Sequence, residues 1–204
     1  MKIYFVRHGS TDSLEKGISQ PNNESLNENG KNQAKELAKR FSHTPLDLII
    51  SSPYSRALET AQFIGQEILI SDLFKEVTKP TEIIGQSKEN EKVKNILKKI
   101  GEMYLVDPTW HYSDEENFED LKNRGLSALE FLKSQTQENI LVVSHGNFIS
   151  LLIGLMFFGK NFSVDVSLRF KNFLRLSNTG ISICTFEENK WCLQCWNDTS
   201  HLLE

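Results

Sequence analysis

Two short apolar runs, far apart in the chain, end the same way. Ile3-Tyr4-Phe5-Val6 leads into Arg7-His8-Gly9, and Ile140-Leu141-Val142-Val143 leads into Ser144-His145-Gly146. An unbroken run of large apolar residues, closed by polar residues and glycine, predicts a strand buried on both faces. Such strands belong to parallel sheets, and ligands bind beyond the C-terminal ends of those strands. Two distant histidines can therefore meet in one crevice. The arginine beside the first points to an anion as its occupant.

The rest of the pattern fits that frame. Strand-like runs lie at residues 2–6, 47–51, 140–144, 180–186 and 190–195, with a weaker one at 67–70. Helical patterns alternate with them. Ala34, Leu37, Ala38 and Phe41 share one face of a helix predicted over 31–41. Pro53 sits in the first turn of another, predicted to run to Gln66. Val93, Ile96, Leu97 and Ile100 mark a third over 88–103, and 114–135 is amphipathic. Residues 146–158 are apolar on nearly all sides, as in a buried helix. The alternation predicts a three-layer α/β/α fold: a mostly parallel sheet with one antiparallel edge strand from the hairpin at 180–195. The length of 204 residues predicts a single domain over 1–204. The polar segment 75–95, broken by Pro80 and Gly85, is expected to begin as a loop over the ligand-binding edge.

Composition removes several function classes. A formal net charge of −4 argues against a nucleic-acid partner, which needs a basic footprint. The longest apolar stretch, 149–158, is far short of the ~20 residues of a membrane span, so no membrane partner is expected. The four-residue apolar start is too short for a secretory core of ~7–15 residues. Cys184, Cys192 and Cys195 are odd in number and clustered, which fits packing residues in a reducing cytoplasm rather than a disulfide framework. No cofactor and no metal are expected, and the oligomeric state is open.

Three segments carry chemistry. In Arg7-His8-Gly9, guanidinium offers a fork of donors matched to phosphate, and glycine lets the backbone approach a ligand. In Ser51-Ser52-Pro53-Tyr54-Ser55-Arg56, a strand end turns into a helix whose free N–H groups can face an anion. Arg56 in that first turn opposes the helix dipole, and a bound phosphate explains its position. His145-Gly146 completes the set with a second histidine.

These pieces resemble the histidine phosphatase superfamily, in its phosphoglycerate mutase-like branch. The resemblance rests on Arg7-His8-Gly9-Ser10-Thr11, Gln20, Leu26, Gly30, Gln33-Ala34, Ser51-Ser52-Pro53 with Arg56-Ala57-Leu58-Glu59-Thr60-Ala61, Val143-Ser144-His145-Gly146, Asn178-Thr179, and Asn197-Asp198-Thr199-Ser200-His201-Leu202. It implies a phosphoglycerate mutase-like fold and a small phosphorylated metabolite as substrate. It implies that His8 attacks phosphorus, giving a phosphohistidine, while Arg7, Arg56 and His145 surround the transferring group. It places the general acid after the third strand, where Glu76 and Glu82 are the candidates and the Leu-x-x-Glu pattern favours Glu76. Gly9, Ser10, Thr11, Gln20 and Gly146 are the expected substrate contacts.

The chain also departs from the family pattern. Ser10 replaces a common acid, and Leu14 stands where an asparagine is usual. The Trp-Glu-Gly loop is missing. Asp114-Glu115-Glu116-Asn117-Phe118 occupies a place where relatives carry Gly-Glu-Ser, and its acids read mainly as a helix N-terminal cap. Trp110, Tyr112 and Phe118 read as packing aromatics, and His43 and His111 as surface residues. His201 reads as packing the tail. The functions implied are a metal-independent phosphomonoesterase first, then a phosphoglycerate mutase-type phosphotransferase or a weak phospho-ligand binder on the same scaffold.

Overall fold

β1 (Lys2–Arg7) buries Ile3, Phe5 and Val6 completely, so both of its faces need cover. The computed structural model, which describes residues 1–202 (Asn172 by its backbone alone), supplies that cover with helices on each side. After β1 the chain runs through α1 (Asp12–Glu15), α2 (Glu28–Phe41), β2 (Leu48–Ser51), α3 (Ser55–Gln62), β3 (Ile68–Ile70) and α4 (Glu91–Val106). It continues through α5 (Phe118–Lys133), β4 (Asn139–Ser144), α6 (Gly146–Phe158), α7 (Val164–Phe173), β5 (Ile181–Glu187) and β6 (Lys190–Asp198).

The six strands form one sheet in the order β3-β2-β4-β1-β5-β6. β3, β2, β4 and β1 are parallel. β5 runs against β1, and β6 runs against β5. The expected three-layer, mostly parallel sheet is therefore present, with one refinement: the reversed strand, β5, lies one place in from the edge that β6 forms. Alternation along the strands divides the core. Ile3, Phe5, Ile140 and Val142 meet Leu129 and Leu132 of α5 and Phe148 and Leu152 of α6. Val6, Leu141, Val143 and Ile49 meet Leu37 and Phe41 of α2 and Ala57 and Ala61 of α3. Each large side chain so buried contributes roughly 1.5–3 kcal/mol relative to exposure.

A third, smaller cluster lies apart from the sheet. Val93, Ile96 and Ile100 of α4 pack on Ile83, with Trp110 and Tyr112 against them. Those two aromatics thus pack on a helix, as expected. α5 starts at Phe118, later than the sequence pattern, because Asn117 accepts the Asp120 N–H and caps it there. Sequence reading assigns no element to α7. Phe162 just before it and its own Val164, Val166, Leu168 and Phe170 alternate with polar residues, a strand's period, yet Ser163 caps a helix by accepting the Val166 N–H. Among the described residues no helix is long and apolar enough to cross a membrane.

Candidate active site

Strand register brings the two histidines together. Arg7 of β1 pairs with Ser144 of β4, so the next residues, His8 and His145, leave the sheet side by side at its C-terminal edge. Their ring centroids are 5.1 Å apart. Both rings are buried.

His8 is held as one tautomer. Its Nδ1–H donates to the Gly9 carbonyl at 2.7 Å, which leaves the lone pair on Nε2. That nitrogen accepts the Arg56 Nε–H at 3.3 Å. Burial first, then Arg56 and Arg7, holds the imidazole well below the usual histidine range, against the pull of the Gly9 carbonyl. The main chain is braced as well: Asn178 Nδ2 donates to the His8 carbonyl at 2.9 Å, and the Thr179 N–H donates to Arg7 O at 2.9 Å. Thr179 has φ 53°, a costly conformation for a β-branched residue, which the surrounding contacts enforce.

His145 is fixed from β2's end. Ser52 Oγ accepts the Tyr54 N–H at 3.3 Å and lies 2.8 Å from His145 Nε2. His145 Nδ1 is buried and has no partner among the described residues. Arg7 Nε is orphaned in the same way, while Arg7 Nη1 donates to Leu176 O. Buried polar atoms left unpaired are rare and mark places that await a partner. Burial, then His8, Arg56 and Arg7, keep His145 well below the usual range too. Arg56 is itself buried, with Nη1 donating to Pro21 O at 2.8 Å.

Glu76 faces this group from the loop after β3. Its carboxylate accepts the Phe148 N–H at 3.1 Å, the Asn147 side-chain amide at 3.2 Å and the Val77 N–H at 3.0 Å. It therefore caps the start of α6, where the dipole favours negative charge. The loop is clamped from behind. Arg124 of α5 donates Nη1 to Leu73 O and Lys75 O, both at 3.0 Å. Glu116 grips the same guanidinium at 2.6 and 2.8 Å and also accepts the Thr78 N–H at 2.9 Å. Arg7, His8, Arg56, Glu76 and Gly146 line one cleft of about 480 Å³.

A model of the histidine phosphatase superfamily, branch 1, matches residues 3–199. The chain belongs to that superfamily. It is 29% identical over 202 residues to a Bacillus subtilis protein named "Uncharacterized phosphatase PhoE", covering 98% of this chain and 96% of the relative. It is 26% identical over 221 residues to an Escherichia coli protein named "Probable phosphoglycerate mutase GpmB", with 99% and 95% covered. Among solved structures, a mutant phosphoserine phosphatase of Entamoeba histolytica in complex with phosphoserine is 27% identical, with a TM-score of 0.78 and 99% of each chain covered. A second structure of the Entamoeba enzyme holds 3-phosphoglyceric acid, at 26% identity, a TM-score of 0.76 and 99% of each chain covered.

On this histidine phosphatase scaffold the expected substrate contacts divide. Gly146 and Gln20 line the cleft. Gly9, Ser10 and Thr11 line no part of it among the described residues. The Gly9 N–H donates to Thr60 Oγ1, and a Cβ at Gly9 would sit 2.7 Å from the Gly30 carbonyl. Ser10 Oγ donates to Glu15, and Thr11 Oγ1 donates to Glu24 and caps α1. These residues build the loop that carries His8. Glu82, the other acid candidate, turns outward to Lys92 at 2.7 Å. His201 accepts a place against Thr179 Oγ1 at 3.1 Å, so the tail braces the strained turn. His111 is exposed, with Nδ1 2.9 Å from Glu115 O. Among the described residues no three His, Cys, Asp or Glu side chains are grouped to hold a metal ion. Sequence reasoning missed Ser52 as the partner of His145 and Arg124 as the clamp. Arg124 lies on a helix whose pattern is otherwise ordinary, and nothing local marks it.

Proposed function

We propose that the protein is a metal-independent phosphomonoesterase of the histidine acid phosphatase type, working through a phosphohistidine on His8. The observation that carries this reading is the His8 tautomer: a buried, neutral imidazole with Nδ1–H tied to Gly9 and the lone pair on Nε2, where its one partner is the Arg56 Nε–H that a phosphoryl oxygen can take over. Nε2 forms a bond to phosphorus as the P–O bond breaks, and protonated Glu76 gives its proton to the leaving oxygen. Water then attacks phosphorus, Glu76 takes its proton, and the P–N bond breaks to restore His8. Arg7 Nε and His145 Nδ1, both buried and unpartnered, and Arg56 pair with the phosphoryl oxygens as their charge redistributes, His145 carrying its proton on Nδ1 for that purpose. The substrate is a small phosphorylated metabolite, as the phosphoserine and 3-phosphoglyceric acid held by the Entamoeba enzyme support. A cytoplasmic site of action fits the three unpaired cysteines.

The test is hydrolysis of 4-nitrophenyl phosphate with and without EDTA. Activity should survive the chelator, fall with vanadate, and drop by several orders of magnitude in His8→Ala. Acid quenching during turnover should trap phosphate on His8. Loss of activity to EDTA, or full activity in His8→Ala, overturns the reading. Exchange of phosphate between glycerate esters without net release would select the mutase instead.

A further inference from the structure

Two features of the cleft are unused by phosphoryl transfer. The first is charge. Beyond Arg7 and Arg56 its wall carries Lys79, Lys88, Lys171 and Arg175, and Glu76 is the one carboxylate among its lining residues. Among the described residues none of these four cations has a side-chain hydrogen bond or ion pair. Lys79 and Lys88 are half-buried, and burial together with neighbouring cations depresses both ammonium groups. A phosphoryl dianion leaves most of this charge unbalanced, in a chain whose net charge is −4.

The second feature is shape. A chamber of about 270 Å³ adjoins the cleft and shares Val77, Thr78, Lys79, Asn147, Ser150 and Lys171 with it. Its inner wall is apolar: Leu97, Tyr104, Phe118, Leu151, Leu168 and Phe170. Its two carboxylates are already engaged, Glu116 by Arg124 and Glu115 by the N–H groups of Tyr112 and Ser113. An apolar cavity of about 150 Å³ accepts benzene, so this chamber has room for roughly a bicyclic ring.

We infer that the substrate's leaving group is amphipathic: an apolar body enters the chamber, and a second anionic group rests on the rim formed by Lys79 and Lys171. The inference rests on the phosphatase reading above. It narrows the substrate class to phosphate esters of hydroxylated, apolar acids. Polar esters such as sugar phosphates would leave the chamber wall unmatched.

Four esters separate the two contributions: phenyl, 4-carboxyphenyl, 2-naphthyl and 6-carboxy-2-naphthyl phosphate. In kcat/KM the second ring and the carboxylate should each give about tenfold or more, a size usual for one filled pocket or one paired charge. The double variant Lys79→Gln with Lys171→Gln should remove the carboxylate gain and keep the ring gain. Gly101→Leu should do the reverse. Gly101 lines the chamber from α4, and a Cβ there meets nothing within 4 Å, so a side chain can start from that position without a backbone shift. Comparing variants cancels the intrinsic reactivity of each ester. Equal kcat/KM for all four esters, or gains that persist in both variants, overturns the inference and leaves the phosphatase reading intact. Calorimetric titration of His8→Ala with the same esters reads the contacts without turnover. Graded affinity there, with no phosphate release by the native chain, would sink the phosphatase reading alone.

Discussion

The Arg56 Nε–H points at His8 Nε2 from 3.3 Å, so a cation occupies the hydrogen-bonding direction of the proposed nucleophile. The contact adds to burial in keeping the ring unprotonated and marks where a phosphoryl oxygen must later compete for the same donor. Arg56→Met should lower kcat/KM on 4-nitrophenyl phosphate by about 10²–10³, as for other donors aimed at developing charge. A loss under tenfold would show that Arg56 only buttresses the Pro21 carbonyl.

The lowered pKa values of His8 and His145 set the acid side of the pH profile. Loss of kcat/KM from protonation of free enzyme should fall well below pH 6.5 rather than at it. Stability follows with a definite sign. Both folded values lie below the unfolded value of about 6.5, so the unfolded chain binds more protons as pH falls. The stabilisation is complete above that pH and declines below it, by up to about 1.4 kcal/mol per pH unit for each ring. Thermal melts between pH 7.5 and 5 should slope less steeply in His8→Gln than in the native chain. Parallel slopes would exclude this ring as the source.

Glu76→Gln should slow esters with poor leaving groups far more than 4-nitrophenyl phosphate, because only the former need a proton. Equal losses on both would remove Glu76 as the acid.

Arg124 holds the loop that carries Glu76 and does not line the cleft. Arg124→Met keeps packing over Phe148, where the guanidinium carbon lies 4.1 Å from the ring centroid, but frees the Leu73 and Lys75 carbonyls and strands Glu116. It should reproduce the leaving-group dependence of Glu76→Gln in kcat with little change in KM for 4-nitrophenyl phosphate. A uniform loss on all esters would mean the clamp is merely structural. Stability should also drop by about 1–3 kcal/mol, the cost of a broken buried hydrogen-bonded charge, read by urea unfolding.

Gly30 tests the loop that carries His8. A Cβ there would fall 2.1 Å from the Ser10 carbonyl, a backbone atom that cannot swing aside. Gly30→Ala should cost about 1–3 kcal/mol or more of stability and lower kcat through the displaced loop. Near-native urea midpoint and rate would show that the loop yields.

Much of the sheet and the paired histidines was legible because buried parallel strands write themselves as apolar runs, and strand ends are where such sheets bind ligands. Ser10 and Thr11 lie outside the lining of the cleft, because a residue next to a strand-end histidine can face either way. Local sequence does not record that Glu15 and Glu24 reach back to hold them. α7 escaped because its period of two competes with a helix set by Ser163 and by packing of Phe170 on Phe158 and Phe162. Lys79 and Lys171 come from separate segments, and only tertiary structure makes them neighbours of one chamber.

The register that sets Arg7 against Ser144 also divides the molecule by permanence. The two imidazoles ride on strands paired on both sides, whereas Lys79 hangs on a loop and Lys171 on a peripheral helix. The proposed reaction thus stands on the central, doubly paired strands, and the proposed choice of what reacts on a loop and an outer helix. A lineage built this way can change its diet by rewriting loops while its chemistry stays as it was.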